Sequence, residues 1–147
     1  MRPVLGYLLW IGTARDARDV RRVLDAGIEA VVDLAVEEPP AALTRELAYL
    51  RLPLTDGGGT PPWLLTAAGT ALAALVRQRV PTLVGCGAGL SRSPAVVALA
   101  LSIVTGRPVA ELLAEIQAGV ASDVHPALWT DVRDRLTTAH CPLRDDA

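Results

Sequence analysis

The chain has 147 residues, of which 51% are apolar but only 3% aromatic, with no Phe, and this predicts one domain with an aliphatic core of Leu, Ala and Val. Its 14 Lys and Arg stand against 16 Asp and Glu, a net charge of −2 that excludes a general attraction to nucleic acid or acidic membranes, so any anion site must be local. The two cysteines, Cys86 and Cys141, form neither a disulfide framework nor a metal-ligand cluster; they suit a reducing cytoplasm and a free reactive thiol.

The apolar run Val4 to Ile11 is short, broken by Gly6 and followed by Gly12, which predicts a first strand rather than a leader. No stretch reaches the roughly 20 apolar residues of a spanning helix, and a soluble protein is expected. Ala14 to Ala26 places Val20, Val23 and Leu24 at helical spacing, with Gly27 as the stop. Ile28 to Ala35 reads as a buried strand closed by Glu37, Glu38, Pro39 and Pro40, and a short helix is expected after it.

Tyr49 to Leu54 alternates as a strand and runs into a Gly-rich turn ended by Pro61 and Pro62. From Trp63 to Arg79 the residues Leu64, Leu65, Ala68, Leu72, Leu75 and Val76 share one helical face, and Trp63 is read as core. Thr82 to Val84 form a short strand, a Gly-rich loop follows, and Pro94 sits near the first turn of an apolar helix reaching Thr105. Further helices are predicted over Val109 to Ala118 and Pro126 to Thr138, the last begun by His125 and capped by Asp123. Strands alternating with helices predict an α/β fold with a mostly parallel sheet of four to five strands flanked by helices. The domain is expected to span residues 1–139, with a frayed tail over 140–147.

The run from Gly85 to Pro94, Gly-Cys-Gly-Ala-Gly-Leu-Ser-Arg-Ser-Pro, carries the chemistry. A Gly-rich turn between a strand and a helix can point successive backbone N–H groups inward, and the helix N-terminus adds partial positive charge, so Gly87, Ala88, Gly89, Leu90, Ser91 and Arg92 form a cup for a phosphate dianion. The same field favours the thiolate of Cys86 as a nucleophile. Arg92 offers a planar fork to two phosphate oxygens, a geometry lysine lacks. Ser93 places a hydroxyl near the sulfur, where it would stabilise the thiolate as a leaving group.

Cys86, Gly89 and Arg92 match the Cys-x-x-Gly-x-x-Arg signature, and on it the chain resembles the protein tyrosine phosphatases. The stretch Ala88 to Ser93 is especially similar to the dual-specificity branch. Leu9-Trp10-Ile11-Gly12, the strand near Val31, and Pro53 with Asp56 fall in the order seen there. The resemblance implies hydrolysis of phosphate monoesters through a phosphocysteine, on phosphoprotein Ser, Thr or Tyr or on a small phosphomonoester, without metal or organic cofactor. It departs at Gly85, where the family usually has histidine.

A general acid is needed to expel the ester oxygen. Asp56 follows a strand, lies on the Gly-rich loop and precedes Cys86 as the acid does in dual-specificity phosphatases, although Asp-Gly is also an ordinary turn pair. Asp33 is read as ordering backbone, and Glu37 and Glu38 as solvated turn residues. Cys141 is read as a spectator thiol. Two alternatives follow: a phosphate-binding module weak or lacking in catalysis, suggested by Gly85, and a phosphatase of a non-protein substrate.

Overall fold

The computed structural model describes residues 1–4 and 6–138; Cys141 and the expected tail lie outside them. Five strands form one sheet in the order β1-β2-β5-β3-β4. β2 (Leu9–Thr13), β5 (Thr82–Cys86), β3 (Ala30–Ala35) and β4 (Ala48–Leu54) run parallel, and β1 (Arg2–Val4) lies antiparallel on the edge beside β2. The sheet is thus mostly parallel, as expected. The single first strand is split in two, because Gly6 at φ 83° turns the chain back on itself.

The helix expected over Ala14 to Ala26 is also two elements, α1 (Ala14–Arg18) and α2 (Val20–Asp25). Asp19 leaves the helical conformation, and its side chain accepts from the Arg22 N–H as the cap of α2. No helix follows Pro40; residues 41–44 are irregular and a turn leads into β4. The later helices match the apolar spacing: α3 (Pro62–Arg77), α4 (Arg92–Thr105), α5 (Val109–Gly119) and α6 (Pro126–Thr138). No described helix is long and apolar enough to cross a membrane.

Strand alternation divides the core. Val32, Leu34, Leu54 and Val84 join the larger cluster with Leu65, Leu72, Leu99 and Leu112 of α3 to α5, while Val31 and Leu83 meet Ala17 and Val23 of α1 and α2 on the other face. Residues 92–102 of α4 are buried without interruption, so it is a central helix rather than an amphipathic one. Gly69 of α3 admits it closely: a Cβ there would stand 2.7 Å from Leu99 Cδ2.

Parallel strands put all four carboxyl ends on one edge, the usual place for a site in such a sheet. Asp33 orders that edge. Buried in β3, it accepts from the Ala35 N–H at 3.0 Å, the Tyr49 hydroxyl at 2.6 Å and Arg51 at 3.3 Å, and Arg51 also donates to the Glu38 carbonyl at 2.9 Å. Replacing Asp33 by Ala strands these donors and is expected to lower stability by about 1–3 kcal/mol, read as a fall in the urea midpoint.

Candidate active site

β5 ends at Cys86 and α4 begins at Arg92, so the connecting loop is only residues 87–91 long. The thiol is free and 1% exposed. Gly89 turns the loop at φ 71°, and a Cβ on it would lie 2.8 Å from the Gly12 carbonyl oxygen, so glycine is required there twice over, by conformation and by space. The loop is braced from β2 and α1: the Ala14 N–H donates to the Gly87 carbonyl at 3.3 Å. Gly12 and Gly85 are register partners, and Ala17 of α1 covers the face of β5 at Gly85, 3.4 Å from where a Cβ would be.

Arg92 is only 4% exposed, and its charge is met on one side of the guanidinium. Nη1 donates to the Leu54 carbonyl at the end of β4 (3.0 Å), to the Leu34 carbonyl in β3 (3.4 Å) and to Glu37 Oε2 (2.6 Å), while Nη2 donates to Glu37 Oε1 at 2.5 Å. Nε is buried with no partner. Nη2 also stands 3.1 Å from the position of a Gly87 Cβ, which places the guanidinium against the loop one residue from the thiol. The bond to Glu37, then the nearby Cys86, the rest of Glu37's charge and Asp56, raise the Arg92 pKa above its ordinary value against the opposing effect of burial. Arg92 is a fixed cation.

Glu37 is the half-exposed turn residue its Glu-Glu-Pro-Pro setting suggests, but it is also the ion-pair partner of Arg92. Its carboxylate fills the space beside Gly87, where a Cβ would come within contact of Oε1, and the Arg92 hydrogen bond holds its pKa below the ordinary 4.5. Nothing local in the sequence signals this pairing, since the partners are 55 residues apart. The loop carrying Glu37 is tied down by Arg51 at the Glu38 carbonyl and by Arg18 at the Pro39 carbonyl (2.6 Å).

The other expected residues surround the same cup. Ser91 is 6% exposed and its Oγ accepts from the His125 N–H at 3.1 Å. Ser93 is fully buried, with its Oγ unpartnered. Ala88 and Leu90 face outward, Leu90 with 38% of its surface exposed. Asp56 is exposed on the loop after β4, which a Thr55 N–H to Thr60 Oγ1 bond closes and in which Gly57 and Gly59 take φ of 121° and 98°.

Two expectations nearby are corrected. Trp63, read as core, is 68% exposed because it stands in the first turn of α3, ahead of the buried face that starts at Leu64. Asp123 does not cap α6; its N–H donates to the Leu90 carbonyl at 2.8 Å, and His125 takes the cap. Two cavities, of about 680 and 320 Å³, lie away from this cup: Leu9 and Val80 line the first, at the opposite end of the strands, and Leu112 and Ile116 of α5 the second. Among the described residues no cluster of three or more His, Cys, Asp or Glu is arranged to hold a metal ion.

Two predictions follow from the loop and its buttress. Gly89→Ala should remove tungstate binding measured by calorimetry, since the methyl must push either the loop or β2 aside. The Glu37 carboxyl, depressed when folded, contributes stability that is present above pH 4.5 and is lost as acid protonates it at lower pH. Half-exposed, it contributes at most about 1 kcal/mol. Thermal melts of Glu37→Gln and the parent chain should accordingly differ at pH 7, and the difference should shrink as the pH falls below 4.5.

No family model and no curated protein matches the sequence. Solved structures do. The fold is similar to human DUSP28, with a TM-score of 0.82 at 23% identity over 95% of this chain and 97% of that one. A mouse protein described as a dual specificity phosphatase, solved with zinc tungstate, gives 0.78 at 26% identity over 89% of this chain and 83% of that one. The human tyrosine phosphatase-like serine/threonine/tyrosine-interacting protein gives 0.81 at 16% identity over 96% and 97%. With its mixed five-stranded sheet, flanking helices and Cys86-to-Arg92 loop, the chain has a dual-specificity-phosphatase-like fold.

Proposed function

We propose that the chain is a cysteine-dependent phosphatase acting on phosphate monoesters, with phosphorylated Ser, Thr or Tyr side chains of proteins as the substrate class. The observation that carries this reading is the buried Arg92 Nε, a charged donor left without a partner near Cys86 while Nη1 and Nη2 are both hydrogen-bonded. A buried donor of this kind costs about 1–3 kcal/mol unless something accepts from it, and a phosphate oxygen in the cup is the acceptor that fits.

In this reading the N–H groups of residues 87–92 and Arg92 Nε hold three phosphate oxygens while the Cys86 thiolate attacks phosphorus from the floor of the cup. The sulfur–phosphorus bond forms as the phosphorus–oxygen ester bond breaks, and protonated Asp56 gives its proton to the departing oxygen. Water then attacks phosphocysteine, Asp56 takes the proton back, and the thiolate and inorganic phosphate separate. In this reading the Ser93 hydroxyl, buried without a hydrogen-bond partner in the resting loop, would turn to donate to the departing sulfur.

The neutral side chains of residues 87–91 offer no second cation for a polyphosphorylated ligand, which favours a simple monoester over an inositide or nucleic acid end. A free thiol at the nucleophile position suits a reducing compartment such as the cytoplasm. Gly85 favours a second reading, a module that binds phosphate without turning it over. Binding without hydrolysis separates the two.

With 4-nitrophenyl phosphate as substrate, Cys86→Ser should abolish turnover while leaving tungstate binding, and Asp56→Asn should lower kcat by about 10²–10⁴-fold. Undiminished turnover by Cys86→Ser would end the proposal.

A further inference from the structure

The segment from Asp123 to Ala127 touches both loops of the site. On one side the Asp123 N–H donates to the Leu90 carbonyl at 2.8 Å and the His125 N–H to Ser91 Oγ at 3.1 Å, so the segment is bonded to the phosphate loop at two successive residues. On the other side it lies on the loop of Asp56. A Cβ built on Gly57 would stand 3.6 Å from His125 Cε1 and 3.7 Å from each ring nitrogen, so the imidazole covers the backbone one residue after Asp56. Ala127 adds a second contact, with its Cβ 3.6 Å from the corresponding position on Gly58.

The ring is itself fixed. The Ala127 N–H donates to His125 Nδ1 at 3.2 Å and the Trp129 N–H to the His125 carbonyl at 3.0 Å, which makes His125 the N-cap of α6 with its imidazole as the capping acceptor. Nδ1 is thereby the acceptor that holds the ring in place. The loop beneath is intrinsically loose, with Gly57 and Gly59 in the left-handed region and Gly58 between them. A loop with that much backbone freedom needs an outside contact to keep Asp56 in one place.

We propose that His125 is a positioning residue, which clamps the Asp56 loop to the phosphate loop so that the Asp56 carboxyl stands at the leaving-group oxygen. This rests on the phosphatase reading with Asp56 as the acid. Capping of α6 and clamping of the loop are separable, because asparagine caps a helix as well as histidine does here but has no ring to cover Gly57.

The test compares His125→Asn and His125→Ala with the parent chain on two esters, 2,4-dinitrophenyl phosphate, whose leaving group needs no proton, and an alkyl phosphate, whose leaving group does. His125→Asn should keep the parent's melting temperature and its kcat on the dinitrophenyl ester, yet lose about 10²-fold in kcat on the alkyl ester, the loss a misplacement of about 1 Å brings. In an Asp56→Asn background the same change should cost nothing further. Equal losses on both esters, or parent-like kinetics on both, would overturn the proposal and leave His125 as a cap alone. A parent-like Asp56→Asn on the alkyl ester would remove the acid itself and the clamp with it, whereas the Cys86→Ser result bears on the phosphatase reading independently.

Discussion

The site depends on how a buried guanidinium is paid for. Arg92 sits inside the protein at the start of α4, where an unpaired cation would be costly enough to unravel the loop. Three parts of the chain meet it: the Leu34 carbonyl in β3, the Leu54 carbonyl at the end of β4, and the carboxylate of Glu37 from the loop between those strands. Together they orient the plane of the fork and leave Nε without a partner. The parallel sheet makes this arrangement possible, because it delivers two backbone acceptors and the strand bearing the thiol to one edge.

Close backbone approach is the second requirement, and glycine meets it. Gly12 and Gly85 let α1 lie against β2 and β5, Gly89 lets the loop turn against β2, and Gly87 leaves room for the Glu37 carboxylate. The positions are interdependent: α1 braces the Gly87 carbonyl, and Gly87 in turn admits the group that holds Arg92. A Cβ at Gly12, Gly87 or Gly89 would press on the neighbouring elements, whereas at Gly85 it would meet Ala17 only at contact distance. Asp33, Arg51 and Arg18 extend the support outward, fixing the loop from which Glu37 reaches in.

The parts legible in the sequence were those encoded locally. The strand-loop-helix run around Cys86 was readable because the glycines, the cysteine, the arginine and Pro94 sit within ten residues, and the helices α3 to α6 because their apolar residues recur at helical spacing. Breaks within elements were less so: Asp19 interrupts what looks like one helix because its side chain finds a better partner as a cap, and Gly6 turns what looks like one strand. The long-range contacts of Glu37 and His125 were not legible for a different reason. Each is ordinary in its own segment, a carboxylate among turn residues and a histidine before a proline, and acquires its position only from contacts with residues far along the chain.

The central claim is that the Cys86 to Arg92 loop holds a tetrahedral oxyanion with Arg92 Nε as a direct donor and the sulfur in line behind it. A crystal structure of the protein with orthovanadate tests this most directly. The account predicts vanadium bonded to Cys86 Sγ, oxygens on the loop N–H groups and on Nε, and the Glu37 pairing with Nη1 and Nη2 retained. Vanadate bound elsewhere, or a loop in which Nε turns away from the anion, would contradict it.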